Sequence, residues 1–210
     1  MKREEWKKRI ARRSDMTCSL VHLTKDAIID GKELTSTNVL IKILKDRKLI
    51  GSTTESGFIV GDRNAVCFQE SPLHSLAENI YFENDLLKNG ESSKVRYTTI
   101  GLLFEKTLIY RAGGRPVIYD KTSEAKQYLP RDQWWRIVNF DLSNNENFID
   151  WTHEREWRVP DDFTFNLEDV TLLVGNLRGE KFSRLLKKLK EENIDINKIK
   201  GIIPLTQILS

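Results

Sequence analysis

Glu154 and Glu156, two glutamates separated by a single residue, are the pair in this chain best suited to chemistry. They stand in a segment, 154–160, in which side-chain character alternates with the period of a β-strand. The alternation places Glu154, Glu156 and Arg158 on one face of the predicted strand and Arg155, Trp157 and Val159 on the other. Two carboxylates on one face lie about 7 Å apart and are suited to electrostatic stabilisation and proton transfer. On an exposed edge strand the same pair would be an ordinary salt-bridged face.

Other polar and aromatic side chains fall on or beside predicted strands. His22 and Thr24 share one face of a predicted strand over 19–25, and Tyr119 ends another. The tripeptide Trp-Thr-His at 151–153 stands directly before the two glutamates. Because buried histidines and tyrosines are also common in ordinary cores, each of these residues is equally compatible with a structural role.

The sequence contains none of the motifs that mark the common nucleotide and metal sites. It has no G-x-x-x-x-G-K-[ST] loop and no G-x-G-x-x-G turn after a strand. The histidines His22, His74 and His153 and the cysteines Cys18 and Cys67 do not have the spacing of metal ligands. The sequence therefore predicts no metal site.

Three segments together resemble a known family, the DarT family of nucleic-acid ADP-ribosyltransferases. They are His22-Leu23-Thr24 followed by LIKILKDRKL at 40–49, VCFQESPL at 66–73, and Glu156-Trp157-Arg158-Val159. The chain also resembles bacterial and phage proteins related to abortive infection, which share its GRPVIY and THEREWR segments at 114–119 and 152–158. The resemblance covers roughly residues 20 to 160, in patches whose order is more specific than any one of them.

The resemblance implies that NAD is the substrate and Glu156 the central catalytic residue. Glu156 would stabilise the positive charge that develops on the ribose, and Glu154 would act as general base toward the acceptor. The residues implied to bind NAD are His22, Thr24, Phe68, Tyr110, Tyr119 and Arg115. The family has an arginine after the strand phenylalanine, where this chain has Gln69-Glu70, and either Arg111 or Arg115 could take its place.

The acceptor implied by the resemblance is a nucleic acid. Residues 1–15 are strongly basic and predict a helix that could contact phosphates, although a solvated surface helix has the same composition. The predicted nucleic-acid contacts are Lys7, Lys8, Arg12, Arg155 and Arg158. The family context further implies phage defence or a toxin–antitoxin system, with an antitoxin or a chaperone-like protein as partner.

Two other functions remain open from the residues alone. The chain could be a binding module on the same fold that has lost catalysis, which the missing arginine favours. It could also be a nuclease that holds Mg²⁺ with Glu70, Glu154 and Glu156, because clustered carboxylates bind this ion.

The predicted elements are those of an α+β protein with an ADP-ribosyltransferase-like split β-sheet, flanking helices and a C-terminal β-α-β unit. We expect one domain over 1–210. Apart from the segments already given, helices are predicted at 1–15, 38–48 and 180–192, and strands at 64–69, 95–105, 115–119, 134–140, 170–174 and 201–205.

Composition agrees with a folded enzyme and argues against a membrane protein. Hydrophobic residues make up 39% and charged residues 31% of the 210, which is enough to build a core. The net charge of +3 is only mildly basic. Because no run of about 18 apolar residues and no apolar leader is present, we expect a cytoplasmic protein without a membrane partner.

Overall fold

The computed structural model describes residues 1–56, 58–93, 95–178 and 180–208 of the chain. These residues form a mixed α+β structure. Its α-helices are α1 (Arg3–Ala11), α2 (Ser36–Asp46), α3 (Leu73–Lys88), α4 (Lys106–Arg111), α5 (Thr122–Tyr128) and α6 (Glu180–Glu191). Its strands are β1 (Ser19–Leu23), β2 (Ala27–Ile29), β3 (Lys32–Leu34), β4 (Lys48–Leu49), β5 (Ala65–Gln69), β6 (Gly101–Glu105), β7 (Arg115–Pro116), β8 (Ile118–Asp120), β9 (Ile137–Asn139), β10 (Glu156–Pro160), β11 (Phe163–Thr164), β12 (Thr171–Val174) and β13 (Gly201–Pro204).

Seven strands form the main sheet, in the order β13-β12-β6-β1-β5-β10-β7. Neighbouring strands are antiparallel except β12 and β13, which are parallel and are joined through α6. This is the predicted C-terminal β-α-β unit, which is confirmed, and it occupies one edge of the sheet. Three two-stranded sheets complete the structure: β2 with β3, β4 with β11, and β8 with β9.

The main sheet narrows between β1 and β5. β1 pairs with β6 along its whole length, and β5 pairs with β10 along its whole length. Between β1 and β5, in contrast, the described residues form one ladder pair, Val21 opposite Gln69. The imidazole of His22 bridges the gap, since its Nδ1 lies 2.9 Å from the carbonyl oxygen of Cys67. We call this narrow junction the split.

The two faces of the sheet carry different cores. On the α2 face, Leu20, Phe68 and Phe104 pack with apolar residues of α2 and α6. On the opposite face, which we call the α3 face, Val21 and Leu173 pack with apolar residues of α3. Gln69 is opposite Val21 and therefore lies on the α3 face. Its neighbour Phe68 lies on the α2 face, because successive residues of a strand point to opposite faces. Burial of these cores stabilises the sheet by roughly 25 cal/mol per Å² of apolar area.

The first two helices of the fold agree with their sequence patterns. The predicted basic helix is present as α1, and Ile10 on its inner face is 5% exposed. The predicted helix at 38–48 is α2, which begins two residues earlier because Thr35 accepts a hydrogen bond from the Asn38 amide. α2 ends at Asp46, and the next residue, Arg47, caps it in a left-handed conformation with a φ of 52°.

Three predicted strands in the middle of the chain are wrong in extent. The strand at 95–105 begins only at Gly101, and the segment at 115–119 divides between β7 and β8 of two different sheets. The segment at 134–140 begins in the 3₁₀ helix Arg131–Arg136, which follows Pro130, and only its later part, β9, is a strand. Proline fixes its own φ and begins helical turns readily, so the alternating pattern after it did not require a strand.

The strand at 154–160 begins at Glu156, two residues later than predicted. Thr152–Glu154 forms a 3₁₀ turn, and Arg155 is left-handed with a φ of 46°. The alternation of faces therefore applies from Glu156 onward and does not extend to Glu154.

No helix in the described ranges is long and apolar enough to span a bilayer.

We predict that Gly101→Ala destabilises the sheet. A Cβ at this position would lie 2.5 Å from the His22 carbonyl oxygen and 2.9 Å from Leu23 Cα, so backbone would have to move. Overpacking of this kind costs about 1–3 kcal/mol. Gly201→Ala is the matched control, since its nearest neighbour would be Thr171 Cγ2 at 3.8 Å. Urea unfolding of both variants measures the difference, and equal stabilities would contradict the prediction.

Candidate active site

Glu156 opens β10 on the α3 face, directly opposite Gln69 of β5. Its side chain is 10% exposed, and its Oε1 accepts a hydrogen bond of 2.7 Å from Arg158 Nε. Its Oε2 lies 3.5 Å from Arg158 Nη2, at the outer limit of a hydrogen bond. One carboxylate oxygen is therefore held firmly, and the other can accept a further hydrogen bond.

Arg158 is the residue that fixes Glu156. Its guanidinium is buried and also donates to the carbonyl oxygens of Trp135 at 2.8 Å, Ile137 at 3.0 Å and Phe58 at 3.2 Å. Burial opposes the charged form, but the Glu156 carboxylate and the Cys67 thiol together outweigh it and raise the pKa of Arg158. Arg158, a predicted phosphate contact, is thus buried, and its N–H groups are engaged by Glu156 and three backbone carbonyl groups.

Tyr119 is joined to the same residue from the side of β8. Its hydroxyl oxygen accepts a hydrogen bond of 2.8 Å from the Glu156 amide. Burial raises the pKa of Tyr119 to about 12, with further contributions from the charges of Glu156 and Glu154. The phenol therefore keeps its proton at neutral pH and can donate it to a ligand. The fold thus brings Tyr119 and the predicted catalytic residue Glu156 together.

Two side chains of β5 complete this group. Among the described residues, the buried Oε1 of Gln69 has no hydrogen-bond partner. Cys67 lies opposite Arg158, and burial, together with the Glu156 charge, raises the pKa of its thiol. Since an unsatisfied buried oxygen costs free energy, Gln69 offers an acceptor that a ligand N–H group would satisfy. We call Cys67, Gln69, Tyr119, Glu156 and Arg158 the Glu156 cluster.

Glu154 has its own partners in the 3₁₀ turn before β10. Its Oε1 accepts a hydrogen bond of 2.5 Å from the Tyr97 hydroxyl, and His153 Nε2 lies 3.3 Å from the same hydroxyl oxygen. Burial, followed by the charge of Glu154, raises the pKa of Tyr97. Tyr97 is therefore a neutral phenol that donates its proton to Glu154.

Three predicted NAD-binding residues lie apart from Glu156. The His22 ring packs edge-on against Phe68 at 5.8 Å on the α2 face, and burial lowers the pKa of His22. Thr24 lies beyond the end of β1 and donates to the Ser36 carbonyl oxygen at 3.0 Å. These contacts hold the split and the start of α2, so the structure does not bring the three residues to the Glu156 carboxylate.

Tyr110 and Arg115 form a separate pair. The Arg115 guanidinium lies 4.1 Å from the centre of the Tyr110 ring and donates to the carbonyl oxygens of Gly114 and Tyr110. Tyr110 is exposed on α4, and Arg115 lies opposite Arg158 on the edge strand β7. Arg115 thus contacts Tyr110, and Arg158 is the arginine that contacts Glu156.

The remaining predicted basic contacts are on the surface. Lys8 of α1 and Arg12, the residue after this helix, are exposed, and Lys7 is partly buried. Arg155 is exposed, and its guanidinium donates to the Asp15 carbonyl oxygen. The basic helix and the loop that carries Glu154 are therefore adjacent.

Both carboxylate oxygens of Glu70 accept hydrogen bonds from residues outside the Glu156 cluster. Its two oxygens accept from Lys106 Nζ at 2.5 Å and Trp157 Nε1 at 2.6 Å. Within the part of the chain that the structure describes, no group of three or more His, Cys, Asp or Glu is arranged to hold a metal ion. Glu70 therefore does not join Glu154 and Glu156 in the carboxylate cluster that a metal-dependent nuclease would need.

Two surface clefts lie away from the Glu156 cluster. One, of about 420 Å³, is lined by residues of α2 and α6, including Lys42 and Lys188. The other, of about 360 Å³, lies between α1 and the sheet beside Trp6 and Glu105. Because Glu156 is almost buried, a ligand at its carboxylate requires local opening of the segments around it.

No family model, curated protein or solved structure matches this chain.

The sequence reasoning missed Gln69, Tyr97 and the structural partners of Arg158. Gln69 had a usable signal, because it is a polar residue at the end of the apolar strand β5. Tyr97 had none, since its contact with Glu154 joins residues 57 positions apart.

We predict that Arg158→Met lowers the free energy of unfolding by about 3–5 kcal/mol. The change leaves the Glu156 carboxylate buried without its charged partner. Arg155→Met, at an exposed position in the same segment, should change stability by no more than about 0.5 kcal/mol. Chemical denaturation compares the two, and an Arg158→Met protein as stable as Arg155→Met would contradict the proposed role of the buried pair.

Proposed function

We propose that the protein is an NAD-dependent mono-ADP-ribosyltransferase with an ADP-ribosyltransferase-like fold and a nucleic acid as acceptor. The observation that carries the proposal is the pairing of two open acceptors on neighbouring strands. Glu156 Oε2 is only weakly engaged, and Gln69 Oε1 has no partner among the described residues. Both belong to the α3 face, next to the split between β1 and β5.

The two acceptors suit the nicotinamide riboside half of NAD. Cleavage of the nicotinamide–ribose bond passes through a state with positive charge on the ribose, which a nearby carboxylate stabilises. Glu156 Oε2 would accept from a ribose hydroxyl, and Gln69 Oε1 from the carboxamide N–H of nicotinamide. The neutral Tyr119 phenol would add a donor at the same place. Because Arg158 holds Oε1, the carboxylate needs no reorientation during the reaction.

The fold gives independent support. The resemblance implies a split sheet, and the main sheet is joined at its centre by a single ladder pair. The catalytic glutamate implied by the same resemblance begins a strand of the half sheet formed by β5, β10 and β7.

A nucleic acid is the proposed acceptor because of the surface around Glu154. Arg155 follows Glu154 directly, is exposed and contacts the segment after the basic helix α1. Lys8 and Arg12 extend the positive surface from there, and such surfaces bind phosphates. The biological setting, a cytoplasmic phage–bacterium conflict with a restraining protein partner, rests on the resemblance.

A binding module without catalysis is the second candidate, and one observation favours it. Glu156 is nearly buried, and its charge is compensated by Arg158, which also ties three backbone carbonyl groups. An ion pair of this kind can have a purely structural role.

The test is incubation of the purified protein with labelled NAD and, separately, DNA, RNA and protein. We expect nicotinamide release and label transfer to nucleic acid, and Glu156→Gln should reduce both about a hundredfold or more, because it removes the stabilising charge. Glutamine retains an acceptor for Arg158, and circular dichroism checks that the variant folds. Glu168→Gln, at an exposed site, is the control and should match wild type. Folded wild-type protein that neither cleaves NAD nor transfers label would contradict catalysis and favour the binding module.

A further inference from the structure

We propose that Tyr97 and His153 form, with Glu154, a proton path that serves the acceptor half of the reaction. The inference rests on the proposed transferase function and adds two residues to it. Neither residue contacts Glu156 in the described hydrogen bonds. Tyr97 donates to Glu154, and His153 is connected to Glu154 through the Tyr97 hydroxyl. They are therefore assigned to capture of the ribosyl group and not to cleavage of NAD.

The geometry is a continuous chain of polar atoms. The Tyr97 hydroxyl lies between Glu154 Oε1 at 2.5 Å and His153 Nε2 at 3.3 Å. Tyr97 is 7% exposed and packs in the core of the α3 face, whereas His153 is exposed. The chain thus runs from a carboxylate beside the Glu156 cluster, through a buried phenol, to a side chain in contact with solvent.

Glu154 ends the 3₁₀ turn that leads into β10 and is separated from Glu156 by the left-handed residue Arg155. The Tyr119 hydroxyl oxygen accepts from the Glu156 amide, and burial together with the charges of both glutamates raises the pKa of Tyr119. A group bound at Glu156 Oε2 would consequently have Glu154 as the next carboxylate along the surface.

The charges around Tyr97 keep it protonated. The groups that face it are Glu154, His153, Glu83 and Arg96. Glu83 is buried on α3, its Oε2 has no partner among the described residues, and its Oε1 lies 3.5 Å from Arg96 Nη1. Two carboxylates beside a buried phenol disfavour the phenolate, so Tyr97 can pass a proton on only while it receives another.

The proton balance follows from this arrangement. The C1′–N bond of NAD breaks, and nicotinamide leaves with the bonding electron pair. A nitrogen or oxygen atom of the acceptor nucleic acid, carrying a hydrogen, forms the new bond to C1′. Its proton passes to Glu154. The Tyr97 O–H, which donates to Glu154 Oε1 at rest, then turns toward His153 Nε2. Glu154 passes its proton to the Tyr97 oxygen while Tyr97 gives its own proton to the unprotonated Nε2 of His153. His153 releases that proton to solvent.

The ring neighbours of His153 hold it at the end of this path. Its ring lies 5.9 Å from the Trp151 ring, and the Arg96 guanidinium lies 5.4 Å from the centre of that indole. Aromatic contacts of this kind restrict the orientation of an otherwise exposed imidazole.

The test separates cleavage of NAD from transfer. For Tyr97→Phe we expect nicotinamide release without acceptor to stay within about twofold of wild type, while transfer to nucleic acid falls about tenfold or more. His153→Ala should show the same pattern, with transfer partly restored by added imidazole. Tyr128→Phe is the matched control, because its hydroxyl donates to the Asp120 carboxylate at 2.7 Å on the surface.

Each outcome has a defined meaning. Equal losses of nicotinamide release and transfer in Tyr97→Phe, or a transfer rate equal to that of Tyr128→Phe, would overturn the proton path and leave the transferase standing. Failure of imidazole to restore any transfer in folded His153→Ala would remove His153 from the path. A wild-type protein that releases no nicotinamide would overturn the transferase and the path together.

Discussion

The buried guanidinium of Arg158 is the interaction on which the rest of the candidate site depends. A buried charge is costly unless it is paired and hydrogen-bonded, and here one carboxylate and three backbone carbonyl groups meet that need. The carbonyl groups belong to the loop at Phe58, to the 3₁₀ helix at Trp135 and to β9 at Ile137, so one side chain joins three segments to β10. The same side chain fixes the orientation of Glu156. The contacts that hold these segments against β10 therefore also orient the carboxylate.

The split between β1 and β5 separates two kinds of packing. On the α2 face, rings and aliphatic side chains form a continuous apolar core, and His22 is used there as a neutral group that bridges the gap. On the α3 face the apolar core stops at Val21, and the next strands carry Gln69 and Glu156. Polar side chains with open acceptors at the point where two half sheets meet are what a ligand with several N–H and O–H groups requires.

Much of the periphery of the fold follows from the sequence, and much of the site does not. α2, α6 and the parallel pair β12 and β13 have strong apolar periods that no distant contact overrides. The predicted start of the strand at 154–160 was wrong because Arg155 is left-handed, a conformation that the alternation of side chains does not reveal. The structure brings Glu156 and Tyr119 together, whereas it places His22 against Phe68 on the α2 face. Two residues of neighbouring strands share a face of the sheet only in the correct register. Here the register depends on pairs such as Val21 with Gln69, which lie far apart in the chain.

The central claim is that NAD binds on the α3 face at the split, and a crystal structure with a non-hydrolysable NAD analogue tests it most directly. The account predicts that the nicotinamide riboside lies within hydrogen-bond distance of Glu156 Oε2 and Gln69 Oε1, with the segments that cover Glu156 displaced. An analogue bound against His22 on the α2 face, or in the cleft between α2 and α6, with the Glu156–Arg158 pair unchanged, would contradict it.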